Sequence, residues 1–178
     1  MRTLMRGDDT LWRPGRQHVS GEEMPTTMTH PDRASIEHFV RGTLGCGCPD
    51  EVFQHLVISQ LPPIAGRPPI VQLQVGSRLL IHVVAPPDGA TASDWIEQLA
   101  ANGRAARDRH GYNRFRLVIA SPAPLTSARE IEERFARVIA GDEKTHLHFV
   151  SRDQLPVGFE LPAQCPQVPL EPLRADAK

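Results

Sequence analysis

The 178-residue chain is 23% charged, yet its 20 basic and 21 acidic side chains leave a net charge of −1. That balance gives no global pull toward nucleic acid or an anionic membrane, and the length suits one domain with a proper core. Three cysteines are too few for a disulfide framework in a chain of this size, and no apolar run is long enough to cross a bilayer.

The first thirty residues lack the apolar stretch of a signal peptide, so a cytoplasmic, reducing setting is expected. Residues 1–32 are polar, carry prolines and show no sustained period, which predicts a disordered leader. Met1, Met5, Met24 and Met28 all fall there, so Met24 or Met28 can serve as a start. Arginine supplies nearly all the positive charge, since only Lys144 and Lys178 are lysines; this reads as coding composition rather than function.

Ile36, Phe39, Val40 and Leu44 recur at helical spacing and predict a first helix ending at Gly45. Gly45-Cys46-Gly47-Cys48-Pro49 follows, with Asp50 and Glu51 next. Proline before two acids marks a helix first turn, which puts Cys48 at or beside an N-cap. This second helix carries Val52, Phe53 and Leu56. Strands are predicted over 57–61 and 70–75, separated by the Pro-rich loop 62–69. A Gly76-Ser77 turn leads to a strand over 78–84, apolar on both faces except at His82, as befits a central strand.

The next helix presents Ile96, Leu99, Ala100 and Gly103 on one stripe and stops at Gly111. A strand over 115–120 comes next. Ser127-Ala128-Arg129-Glu130 reads as a capping box for a helix with Ile131, Phe135, Val138 and Ile139 on its inner face, ended by Gly141. A last strand covers 146–150, and 155–178 is a Pro-rich tail expected to be extended coil. The order is ααβββαβαβ. Right-handed crossovers make the later strands parallel, and the hairpin adds antiparallel partners. The expected fold is a single α/β domain over 33–154, with a mixed, mostly parallel sheet of about four or five strands.

Chemistry concentrates at Cys46 and Cys48. A disulfide across C-x-C closes a very small ring that strains its backbone, and strained disulfides are oxidising and labile. Such a pair suits a redox switch or an exchange catalyst. Two thiolates on one turn are equally half of a soft metal site. Zinc or an iron–sulfur cluster needs more ligands, and the candidates are Cys165, His55 or the same pair from a second chain in a homodimer. Against activation, Asp50 and Glu51 bring negative charge beside the sulfurs, and no base follows directly. Cysteine as a small hydrophobe in a crowded helix corner explains the same residues.

Arg104, Arg107, Arg109, Arg114 and Arg116 form a basic cluster suited to a phosphate or an acidic partner surface. A solvated helix end also accounts for it, and Tyr112 and Phe115 are too few aromatics for a single-strand binder. His146 and His148 point one way from the last strand, able to hold a metal between them or to form the polar outer face of an edge. His82 is a pocket candidate or a satisfied core histidine. From His55 to Pro87 there is no Asp or Glu, so the hairpin cannot present the paired carboxylates of a nuclease or glycosidase. The hairpin–helix–strand order loosely resembles an endonuclease-like core, but Ile81-His82-Val83 stands where that core carries its carboxylate and lysine. Two functions follow as expectations. The first is an accessory factor using Cys46 and Cys48 for thiol redox or metal binding. The second is a protein-interaction module docking through its tail and arginines.

Overall fold

The computed structural model describes residues 31–64, 66–86 and 95–162. Most of the expected leader and the tail beyond Pro162, with Cys165, lie outside the described residues. Helix α1, Arg33–His38, starts at Asp32, whose side chain accepts from the Ser35 N–H at 2.7 Å. It runs straight into a π-helical turn, Phe39–Thr43, so the predicted first helix is real but changes pitch midway. The second is a 3₁₀ helix, Asp50–Gln54, rather than an α-helix.

Strands β1 (Leu56–Gln60), β2 (Ile70–Val75) and β3 (Leu79–Val84) form an antiparallel meander. Helix α2 (Trp95–His110) crosses to β4 (Arg114–Ser121), and α3 (Ala128–Ile139) crosses to β5 (Thr145–Ser151). Both crossovers leave parallel pairs, β3 with β4 and β4 with β5. The five strands stand in the order β1-β2-β3-β4-β5, with β3 in the centre and every residue of it buried. The mixed sheet and element order match the sequence expectation.

Each face of the sheet has its own core. Leu80, Val84, Phe115, Leu117 and Ile119 meet Trp95, Ile96 and Leu99 of α2 and Ile131 and Phe135 of α3. On the opposite face Leu73, Ile81, Val83 and Val118 meet Ile36, Phe39, Val40 and Phe53. Leu155, Phe159 and Leu161, at the start of the predicted tail, pack on this second core. Among the described residues no helix is long and apolar enough to cross a membrane.

Two terminal details differ from expectation. Ser127 makes no side-chain cap bond, so the box read over 127–130 does not form. A capping box does form at Ser151 and Gln154, ahead of a short 3₁₀ turn after β5. Helix α3 closes on Ala140 in the left-handed region, at φ 46°, before Gly141. A Cβ in that region is strained, so Ala140→Gly is expected to stabilise the domain by about 0.5–1 kcal/mol in urea denaturation. An unchanged or lowered midpoint would show that this end of α3 is not left-handed in solution.

Candidate functional site

The cysteine turn is built by the way α1 ends. In the π-helical turn the Leu44 N–H reaches back to the Phe39 carbonyl at 3.0 Å. Gly45 then takes φ 63°, a left-handed conformation open to glycine at no steric cost. The reversal lets the Cys46 N–H donate to the Val40 carbonyl at 3.0 Å. Cys46 is thereby fixed in the core, 8% exposed, while Cys48 is only partly buried. The two sulfurs are joined in a disulfide.

Arg41 clasps the far side. It pairs with Glu37 at 2.6 Å one helical turn back, donates to the Cys48 carbonyl at 2.9 Å, pairs with Asp50, and lies 5.0 Å over the Phe53 ring. The hydrogen bond and charge of Arg41 hold the Asp50 carboxyl below its ordinary value. Asp50, expected to bring negative charge beside the sulfurs, is therefore paired with a base that precedes the turn. The N-cap is Pro49, with Cys48 beside it as expected, and the cap makes no side-chain bond.

Between this turn and the starts of β3 and β4 lies a cavity of about 200 Å³. Residues 46–49 form one wall, and Arg78, Leu79, Asn113 and Arg114 form the other. The N–H groups of Asn113 and Arg114 both donate to the Arg78 carbonyl, at 2.8 and 3.1 Å, which brings the two arginines together. Both are exposed, and neither is paired with a carboxylate among the described residues.

Arg116 sits two residues along the same face of β4 and is only 4% exposed. Its Nη1 donates to the Leu44 carbonyl and to His148 Nε2, the latter at 2.6 Å, while its Nε has no partner. No carboxylate neutralises it among the described residues. Burial, then the Arg116 charge, then His146 pushes the His148 pKa down to about 4. His148 is thus neutral at pH 7 and accepts through Nε2, leaving its proton on Nδ1. Burial, then Arg116 and Arg114, also lowers the His146 pKa, and its buried Nε2 is unpaired. The two rings do face one way, 6.5 Å apart. Both are half-buried on the terminal strand of the sheet, on the side that carries Arg114 and Arg116.

The other expected residues disperse. His82 lies on the opposite, α2-covered face, with Nε2 3.1 Å from Gln72 Oε1 and its ring edge-on to Phe115 at 5.0 Å. It does not line the cavity at the cysteine turn. His55 is exposed and ends the 3₁₀ helix. Among the described residues no group of three or more His, Cys, Asp or Glu is placed to hold a metal. Zinc or an iron–sulfur cluster is therefore not assembled from Cys46, Cys48 and His55 within them.

Nor do the five arginines share one surface. Arg107 is buried at 5% and bridges Asp108, Asp142 and Thr145, tying α2 to the loop before β5. Arg104 and Arg109 lie on α2, and Arg114 and Arg116 on β4, with only Arg114 of the five lining the cavity at the cysteines. Sequence reasoning missed Arg41 and Arg78. The four-residue spacing from Glu37 was the available signal for Arg41, and Arg78 carried none. Comparison with models of protein families, with curated proteins and with solved structures returns no match, so the site's own chemistry carries the functional reading.

Proposed function

We propose that Cys46 and Cys48 form a reversible dithiol–disulfide couple, through which this protein acts as an accessory thiol-redox factor. The observation that carries this reading is a disulfide between near neighbours on an arginine-walled cavity. Cys48, the more accessible sulfur, is the attacking thiolate, and the anchored Cys46 is the resolving one. Guanidinium groups close to the pair favour the anionic form of a thiol.

The exchange balances without a further reagent. The Cys48 thiolate attacks a substrate disulfide R–S–S–R′ and expels R′S⁻, giving a mixed disulfide. The Cys46 thiolate then attacks the Cys48 sulfur and expels RS⁻. Both leaving thiolates take protons from solvent or from the two chain thiols. One substrate disulfide becomes two thiols, and the chain's two thiols become one disulfide. In the cytoplasmic setting expected from the sequence, the dithiol is the resting form.

Titration in thiol–disulfide buffers, read by alkylation and mass spectrometry, tests this reading. The parent is expected to show one two-electron step that Cys46→Ser/Cys48→Ser lacks. Thiols that stay reduced at every poise would sink the proposal. So would stoichiometric zinc or iron in anaerobically purified parent, absent from the double variant, which would favour a metal shared with Cys165 or a second chain. The bond closes so few residues that reduction is expected to cost only about 1–2 kcal/mol in urea denaturation. Unfolding on reduction would instead make the bond a structural clasp.

A further inference from the structure

We infer that the cavity between Arg78, Arg114 and the Cys46–Cys48 turn holds a carboxylate of the exchange partner, and that this partner is a low-molecular-weight anionic disulfide. The inference rests on the redox reading above and names its substrate class. Two arginines, Arg78 and Arg114, line the cavity, and neither has a carboxylate partner among the described residues. Arg116, buried two residues along β4 from Arg114, adds positive charge behind them without itself lining the cavity. The neutral His148 and the Leu44 carbonyl satisfy some of its donors but supply no negative charge. An anion in the cavity would meet the Arg78 and Arg114 forks, which suit a planar carboxylate.

Size and placement narrow the class. A space of about 200 Å³ takes a carboxylate with a few carbons, not a folded chain. The same cavity is walled by both cysteines, so a carboxylate held by Arg78 and Arg114 leaves its attached sulfur beside Cys48. Asn113 offers further polar contact from the arginine wall. Arg41, on the far side of the turn, is already committed to Glu37 and Asp50 and does not compete for the ligand. Burial, and next the charge of Arg114, presses the Arg116 pKa down, as expected for cations crowded without an acid.

The test compares three small disulfides on the reduced protein: dithiodipropionate (dianionic), bis(2-hydroxyethyl) disulfide (neutral) and cystamine (dicationic). Each rate is divided by that of the same disulfide with a neutral small dithiol, which removes intrinsic reactivity. The dianion is expected to lead the neutral probe by about tenfold or more, with the dication slowest. In Arg78→Gln/Arg114→Gln, and in molar salt, that ratio is expected to fall close to unity. Equal normalised rates for the three probes in the parent would overturn the inference and leave the redox reading standing. A dianion preference that survives both substitutions would do the same. No exchange with any probe would overturn both.

Discussion

Gly103→Ala is expected to destabilise the domain by about 2–3 kcal/mol, a large loss for the gain of one methyl group. A Cβ built on Gly103 falls 2.0 Å from Phe115 Cζ and 2.2 Å from Cε1. The ring has no room to withdraw, because Phe115 is fully buried and meets His82 edge-on at 5.0 Å. Helix α2 cannot lift freely either, since Arg107 near its end is bound to Asp142 and Thr145 at 2.6 and 2.8 Å. The helix-propensity gain of alanine over glycine, about 1 kcal/mol, offsets only part of the clash. Urea midpoints of Gly103→Ala and of Gly103→Ala/Phe115→Leu measure this. The second substitution should recover part of the loss, and a neutral single variant would mean that α2 rides higher above β4 than described.

Acidification is expected to bring the second large loss, and it should begin well above the carboxylate range. Burial pushes the His82 pKa down to about 4, and burial with Arg116 and His146 does the same for His148. An unfolded histidine titrates near pH ~6.5. Between those values the unfolded chain binds more protons than the folded one, so stability falls as pH drops from about 6.5 to 4. The shift at His82 corresponds to about 3 kcal/mol at most, and His148, closer to solvent, contributes less. Asp142 acts in a lower window. Burial raises its pKa, but hydrogen bonds from Lys144, Arg107 and Thr145 outweigh that and hold it below its ordinary value. Urea denaturation across pH 7 to 4.5 should slope steeply, and His148→Gln should flatten part of the slope. A level profile in the parent would refute neutral burial of both rings.

The sheet was legible in the sequence because its signals are local. Alternation over β2 and the unbroken apolar run of β3 specify strands whose inward residues are now seen buried. Strand β1 sits one residue earlier than predicted, in the register where Leu56 and Ile58 face the core rather than Val57. The site was legible only in part. Cys46 and Cys48 stood out by spacing, but their neighbours come from β3, β4 and β5 through pairings that no local pattern encodes. Arg116 illustrates the loss. It follows Arg114 in a run that reads as a polar face, yet that half of β4 is roofed by the end of α1. The π-helical turn that lays Leu44 over it leaves no mark on an apolar spacing of three and four residues.

Strand order in this sheet follows chain order, and that has a consequence for how the chain folds. Each new strand finds its partner already in place beside it, so pairing can spread outward from the β2–β3 hairpin by the shortest available loop closures. During synthesis the cysteine ring and the hairpin emerge first, and β5 arrives last. His148, which accepts from Arg116, travels on that final strand. Until it docks, the Arg116 guanidinium stays in contact with water, and the cost of dehydrating it falls on the closing step of assembly rather than on the nucleus.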